Sequence, residues 1–293
     1  MTGDEVGAAV QLACLLEASA PKPGNVAPGR PFRDMSYEDF LASAAAIGPA
    51  FTRAGEHGLG VTILEAVEAT RGWTRANTNL GIILLAAPIA RAAARGGPLQ
   101  EGVRRELEST TVEDAVLAYD AIRLASPGGL GSAPEADVRD HPSVTLRHAM
   151  RLSAHRDSIA QEWASGFEIT FGCGAPALRA ALASGLGWSD ATVETYLHLL
   201  AHVGDTLIAR KLGPAAAREV SEEASRILAC GGVRTPEGRA RLEAFDRALR
   251  DPGNRRNPGT TADLTAAALL VVILEREAPF GCGEDSPTRP TGR

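Results

Sequence analysis

Apolar residues recur three and four positions apart along most of the chain, and this spacing predicts one helix after another. Val6, Val10 and Ala13 share one face of a first helix, which a pair of prolines ends. A second helix is predicted to start at Ser36, because Asp39 follows three residues later in a capping-box arrangement. The same reasoning predicts helices near residues 61–71, 80–95, 112–125, 143–154, 157–171, 190–203, 214–229, 236–250 and 261–275.

Two of these segments, residues 80–94 and 264–274, are apolar on nearly every side, which predicts central helices wrapped by the others. Aromatic residues make up only 4% of the chain and alternating β-branched runs are few, so no sheet is expected. We therefore predict an all-α fold, a single compact multi-helix domain with two buried central helices. The domain spans residues 1–280, and residues 281–293, rich in proline, glycine and charge, form a disordered tail.

Composition and charge argue against several classes of function. The net charge of −6 argues against a nucleic-acid partner, because binding to a phosphate backbone requires clustered positive charge. No run of 18 apolar residues and no basic N-terminal region occur, so neither a membrane span nor a secretory leader is predicted. Four scattered cysteines without a Cys-x-x-Cys pair favour a reduced, cytoplasmic protein.

The chain has two lysines, Lys22 and Lys211, against 28 arginines among its 30 basic Lys and Arg residues. An ammonium is a compact, strongly hydrated charge, whereas a guanidinium is a planar fork, so the lysines could mark positions where a fork does not fit. This makes both of them candidate phosphate ligands. A coding bias toward arginine explains either lysine equally well.

Polar residues stand directly before each of the two apolar helices. Asn77 and Thr78 precede one, while Thr260, Thr261 and Asp263 precede the other. Amides and hydroxyls at a helix N-terminus favour a bound anion, although ordinary helix caps would have the same composition. We expect the two entrances, represented by Asn77 and Asp263, to open onto one pocket.

Two further acids stand out by their neighbours. Glu168 lies between Phe167 and Ile169, a small and apolar setting that calls for a partner, a metal or a catalytic role. Asp205 follows an apolar helix and precedes the basic pair Arg210 and Lys211, but it could equally cap the next helix. No common zinc, Walker or nucleophile-elbow signature is present, so carboxylate-bound Mg²⁺ is the favoured metal.

As a set, four motifs resemble the triphosphoribosyl-dephospho-CoA synthase family. They are Glu17 followed by residues 22–26 (Lys-Pro-Gly-Asn-Val), residues 77–81 (Asn-Thr-Asn-Leu-Gly), residues 205–211 (Asp-Thr-Leu-Ile-Ala-Arg-Lys) and residues 257–264 (Asn-Pro-Gly-Thr-Thr-Ala-Asp-Leu). The resemblance extends from about residue 10 to residue 275. It implies an all-helical pentosyltransferase that transfers the triphosphoribosyl group of ATP to 3′-dephospho-CoA and releases adenine.

The resemblance also implies roles for individual residues. Glu17 and Glu168 become candidate general bases for the attacking hydroxyl, and Asp205 and Asp263 become candidate Mg²⁺ ligands. We expect the two lysines to converge on one cleft with these two aspartates and at least one of the two glutamates. ATP would be bound by Lys22, Asn25, Asn77, Thr78, Arg210, Lys211, Thr260 and Thr261.

Departures from the citrate lyase branch leave the acceptor open. That branch tends to have His-Lys where this chain has Asn79-Leu80, and an acid where it has Ala27. The chain looks more like a divergent branch of archaea and methylotrophs, which implies a small-molecule acceptor of the tetrahydromethanopterin type and transfer of a ribosyl phosphate as alternatives. A Mg²⁺-dependent nucleotide or ADP-ribose glycohydrolase and a non-catalytic helical binding module also remain open, as does a homodimer.

Overall fold

A computed structural model describes residues 1–128 and 135–276, and in these residues the chain forms fourteen α-helices and no β-strand. The all-α prediction is therefore confirmed. The helices are α1 (Gly3–Ser19), α2 (Tyr37–Thr52), α3 (Leu59–Arg71), α4 (Leu80–Arg95), α5 (Leu99–Glu108), α6 (Val112–Ala125), α7 (Leu146–Ser153), α8 (Ser158–Ser165), α9 (Ala175–Ala183), α10 (Trp188–His202), α11 (Thr206–Leu212), α12 (Pro214–Ala229), α13 (Pro236–Leu249) and α14 (Gly259–Leu274).

The two apolar helices are the centre of the fold, as predicted. Helices α4 and α14 pack against each other, and α1 packs on both of them. Most of their residues are buried, including Ile83 and Leu85 on α4 and Leu264 and Leu269 on α14. Because both helices run into the core, their polar N-terminal turns lie side by side.

A second apolar cluster joins α10 to α11, α12 and α13. Its buried members include one from each of these helices: Tyr196, Ile208, Val220 and Phe245. This cluster supports α11 and the loop that leads into α14. It thereby fixes the side of the site opposite the central helices.

The predicted helix over residues 157–171 is wrong, because α8 ends at Gly166 in a left-handed conformation (φ 82°) and Phe167 follows at φ 65°. The buried carboxylate of Glu162 accepts hydrogen bonds from the backbone N–H groups of Ile169 and Thr170, at 2.9 and 2.6 Å. A π-helical turn, Thr170–Gly174, then leads into α9. A local side-chain cap thus replaces the continuous helix.

The helical periodicity also missed three helices, α5, α9 and α11. The 277–280 end of the predicted domain and the predicted tail, residues 281–293, lie outside the described residues. Within the described ranges, no single helix is long and apolar enough to cross a membrane. Helices α4 and α5 reach that length only as a pair bent by 114°, and α4 lies in the core.

Candidate functional site

A cavity of about 670 Å³ opens at the N-terminal ends of α4, α8 and α14. Asn77 and Asp263 both line it, so the prediction that the two helix entrances share one pocket is confirmed. Of the residues predicted to form the site, the cavity wall contains Glu17, Asn25, Asn77, Thr78, Arg210, Lys211, Thr260 and Asp263.

Lys22 lies behind this wall, where its ammonium has three oxygen partners. Nζ lies 2.9 Å from Oε1 of Glu17 and donates to the main-chain oxygens of Glu17 and Ala20, the latter at 3.2 Å. These carbonyls belong to the C-terminal end of α1, where a cation is favourable. An ammonium has three protons, so none is left for a phosphate. The predicted phosphate ligand instead fixes and neutralises Glu17.

Asp263 has no hydrogen-bond or ion-pair partner among the residues that the structure describes. Burial raises the pKa of its carboxyl well above the usual value, and the carboxylates of Glu17, Asp205 and Asp157 raise it further, while Arg210 opposes them. A Cβ atom on Gly81 would lie 2.1 Å from Oδ2 of Asp263, so only glycine leaves room for this carboxylate at the start of α4. Asp263 is therefore placed for a ligand, as its predicted role requires.

The basic pair on α11 forms the cationic side of the cavity. Arg210 donates from Nη1 to Oδ2 of Asp157, which also caps α8, and its Nε is buried without a partner. Lys211 is half-buried and has no hydrogen-bond or ion-pair partner within the described ranges. Burial lowers the pKa of its ammonium. Lys211, rather than Lys22, is thus the lysine available to an anion.

Asp205 does not reach the cavity, and its predicted role as a metal ligand is not supported. Oδ1 accepts from the backbone N–H of Ile208 at 2.9 Å, which caps α11. Oδ2 accepts from the backbone N–H and the hydroxyl of Thr261, at 2.8 and 2.9 Å. Asp205 therefore acts as a helix cap that ties α11 to α14, and Thr261 is its partner rather than a phosphate ligand.

The second predicted base, Glu168, is also misplaced. Its side chain is exposed and it does not line the cavity. Because the chain reverses at Gly166, the buried acid of this segment is Glu162, six residues earlier. This leaves Glu17 as the predicted base that faces the cavity.

Several amide and hydroxyl groups at the two helix entrances already have hydrogen-bond partners within the protein. Asn25 donates from Nδ2 to Oδ1 of Asn257 at 2.6 Å, and the side-chain oxygen of Asn77 accepts from the backbone N–H of Leu80 at 3.3 Å. The Thr78 hydroxyl lies 2.5 Å from that of Ser43. These contacts preorganise the polar end of the cavity.

Residues that the sequence did not mark hold the loop of residues 21–26 from behind. The Tyr196 hydroxyl donates to the main-chain oxygen of Pro23 at 2.7 Å. Oδ1 of Asp246 accepts from the Gly24 N–H at 2.8 Å, and Arg250, four residues later at the C-cap of α13, donates to the main-chain oxygen of Asn25 at 2.6 Å. The i, i+4 spacing of Asp246 and Arg250 was the available signal.

Aliphatic side chains form the other side of the cavity, and the sequence motifs did not identify them either. Ile122, Leu146, Met150 and Ile159 line it from α6, α7 and α8. The Tyr119 hydroxyl nearby donates to the main-chain oxygen of Ala136 at 2.6 Å. The cavity is therefore cationic on one side and apolar on the other.

No group of three or more His, Cys, Asp or Glu side chains in the described parts of the chain is arranged to hold a metal ion by itself. Mg²⁺, however, is commonly held by one or two carboxylates together with substrate phosphates. Asp263, which lines the cavity and has no partner within the described residues, fits that arrangement as the carboxylate ligand.

Comparison with known proteins identifies the family. The family model described as CitG, ATP:dephospho-CoA triphosphoribosyl transferase, matches residues 3–280. The chain is 30% identical over 273 residues to the 2-(5''-triphosphoribosyl)-3'-dephosphocoenzyme-A synthase of Pectobacterium atrosepticum, covering 86% of this chain and 82% of that protein. A relative from Pseudomonas fluorescens (strain Pf0-1) with the same assignment is 29% identical over 140 residues, 45% of this chain and about half, 48%, of that relative's length.

A solved structure has the same architecture. A crystal structure assigned to a triphosphoribosyl-dephospho-CoA synthase of Archaeoglobus fulgidus superposes with a TM-score of 0.64 at 30% sequence identity. The match covers 80% of this chain and 98% of that one.

Proposed function

The chain belongs to the ATP:dephospho-CoA triphosphoribosyl transferase family, and on this premise we propose that it transfers the triphosphoribosyl group of ATP to 3′-dephospho-CoA. A ribose hydroxyl of the acceptor forms a bond to C1 of the ATP ribose. The bond between C1 and adenine breaks, and adenine leaves with the electron pair and takes up a proton. The triphosphate stays on the product, so it serves as a binding handle.

The observation that carries this proposal is the buried pair of Glu17 and Lys22 beside the cavity. Lys22 neutralises and orients the Glu17 carboxylate through Oε1, while Glu17 also lines the cavity. A carboxylate fixed in this way can accept the proton of the attacking hydroxyl. General-base assistance of this kind contributes about 10²- to 10⁴-fold to a rate.

The cationic side of the cavity suits the triphosphate. Lys211 has a free ammonium and Arg210 has an unpaired Nε, while Thr260 lines the wall at the first turn of α14. The helix dipoles of α4 and α14 add to this positive potential. Mg²⁺, which Asp263 would hold together with the phosphates, would neutralise part of the triphosphate charge.

The proposal is tested with purified protein, ATP, Mg²⁺ and dephospho-CoA, by measuring adenine release and the coupled product chromatographically. We expect adenine only when the acceptor is present, and we expect Glu17→Gln to lower the rate by about 10²-fold or more. Glu168→Gln is the matched control, because this acid is exposed and outside the cavity.

The alternatives give different products in the same assay. Release of adenine from ATP, or cleavage of ADP-ribose, in the absence of an acceptor would indicate a glycohydrolase. Coupling to a pterin alcohol, but not to dephospho-CoA, would indicate the divergent branch. ATP binding without any adenine release would indicate a binding module.

A further inference from the structure

The cavity has two chemically distinct walls that a single ligand must span. The aliphatic wall consists of Ile122, Leu146, Met150 and Ile159, whose side chains present only hydrocarbon or thioether groups. The Tyr119 hydroxyl at its edge is already committed to the Ala136 oxygen. This wall therefore offers contact area and little hydrogen bonding.

The cationic wall lies on the other side. It consists of Arg210 and Lys211 from α11, with Asn254 and Asn257 from the loop before α14. Oδ1 of Asn257 is held by Asn25, and the Asn254 side chain donates to Asp34 at 3.2 Å. Among these four residues the cations are Arg210, whose Nε has no partner although its Nη1 is paired with Asp157, and Lys211.

The aliphatic wall meets Asp263 at Gly81. A Cβ atom on this residue would lie 2.1 Å from Oδ2 of Asp263 and 2.8 Å from Cδ1 of Ile159. The carboxylate and the aliphatic wall are therefore adjacent across one glycine. Arg210 also lies close enough to act on the Asp263 carboxyl, so the aliphatic wall and the cations both border this acid.

A nucleoside triphosphate combines matching chemical groups, with a flat base, a ribose and a charged tail. We propose that the aliphatic wall is the subsite for the purine base of the donor, while the cationic wall takes its phosphates. This assignment rests on the proposed function. It places the bond that breaks, between the base and C1 of the ribose, over Gly81 and beside Asp263.

The cavity is large enough for one nucleotide at a time. Its volume of about 670 Å³ lies within the range of roughly 300–1,000 Å³ that is usual for sites holding a single small ligand. The acceptor, which is as large as the donor, then approaches from the open side. Its attacking hydroxyl reaches C1 opposite the departing base.

Binding of partial ligands tests the assignment without turnover. Adenosine probes the aliphatic wall, inorganic tripolyphosphate probes the cationic wall, and ATP with Mg²⁺ probes both, each by calorimetric titration. Met150→Trp fills the aliphatic wall and should weaken adenosine about tenfold, or about 1.4 kcal/mol, while tripolyphosphate affinity stays within about twofold. Lys211→Met should weaken the binding of tripolyphosphate and keep the affinity for adenosine within about twofold. Both variants should weaken the binding of ATP.

Leu152→Trp is the matched control, since Leu152 is half-buried on the same helix as Met150 and does not line the cavity. It should leave all three affinities unchanged. Ile159→Phe narrows the same wall from α8 and replaces Met150→Trp if that protein does not fold, as judged by circular dichroism and thermal unfolding.

The assignment is overturned if the wall variants weaken dephospho-CoA but not adenosine or ATP, because the wall then holds the acceptor. It is equally overturned if the parent protein does not bind adenosine. These outcomes are separate from failure of the proposed function. Adenine release with unaltered adenosine affinity in Met150→Trp would refute only the subsite, whereas the expected binding pattern without adenine release would refute only the reaction.

Discussion

Lys22 and Glu17 form an ion pair in which the ammonium lies 2.9 Å from Oε1 of the carboxylate, and both side chains are buried. Two main-chain oxygens at the end of α1 complete the coordination of the ammonium. Removing the cation alone leaves an uncompensated buried carboxylate, which is more costly than removing the pair together.

We therefore expect Lys22→Met to lower the free energy of unfolding by about 3–5 kcal/mol. The double variant Lys22→Met/Glu17→Gln should recover part of that loss, because no buried charge remains. Urea unfolding of the parent, both single variants and the double variant measures the coupling. Additive losses in the double variant would show that the two side chains do not depend on each other.

Lys22 also shows how much of the site could be predicted from the sequence. The polar turns before α4 and α14 correctly indicated a shared cavity, whereas Lys22, singled out by its rarity, lies behind the wall of that cavity. Two of the three partners of its ammonium are main-chain oxygens of the helix end, and no residue pattern encodes them. The sequence consequently located Lys22 near the site but assigned it the phosphate contact that only Lys211 is free to make.

Gly81 and Asp263 give a second prediction. Alanine is normally preferred over glycine in a helix by about 1 kcal/mol, so Gly81→Ala would ordinarily stabilise α4. Here the added Cβ would lie 2.1 Å from Oδ2 of Asp263 and force the carboxylate to move. A displacement of about 1 Å can cost about 10²-fold in rate, so we expect that loss in adenine release.

Gly172→Ala is the control for this substitution, because an added Cβ there meets no atom within 4 Å. It should retain full activity. If Gly81→Ala also retains full activity while remaining folded, the position of Asp263 does not matter to the reaction.

The loop that carries Lys22 and Asn25 depends on a distant tyrosine. Tyr196→Phe removes the hydroxyl that donates to the Pro23 oxygen at 2.7 Å and leaves that oxygen buried without this partner. We expect a loss of about 1–3 kcal/mol in the free energy of unfolding. Because the loop also positions Lys22, adenine release should fall under conditions where the protein is still fully folded.

Tyr37→Phe is the matched control, since it removes a hydroxyl that lies 2.8 Å from the Ser19 hydroxyl on a less buried part of the chain. Its effect should be smaller for both stability and activity. Tyr196 follows Pro23 by 173 residues, so no local pattern could have connected them. Asp246 and Arg250 lie 222 and 225 residues from their partners Gly24 and Asn25, so the sequence offered only their own i, i+4 spacing as a signal. The cap formed by Asp205, three residues from Ile208, was open to prediction.

Glu162 makes the stability of the fold depend on pH. Its side chain is fully buried, and desolvation raises its pKa to about 7 although Ile169 and Thr170 donate hydrogen bonds to it. In the unfolded chain this carboxyl has its ordinary pKa near 4.5. The folded state therefore holds the proton more tightly, so this contribution to stability is complete below pH 4.5 and is lost as the pH rises through 7.

The loss amounts to about 1.4 kcal/mol per pH unit within this window, or about 3 kcal/mol in total. Urea unfolding of the parent between pH 5 and pH 8, about the span in which the group titrates, should show this decline. Glu162→Gln cannot ionise, so its unfolding free energy should be lower at acid pH but should fall less steeply with rising pH. Glu168→Gln, which changes an exposed acid six residues away, should keep the slope of the parent. Equal slopes for Glu162→Gln and the parent would mean that this buried carboxyl does not titrate in the window and that the decline comes from other groups.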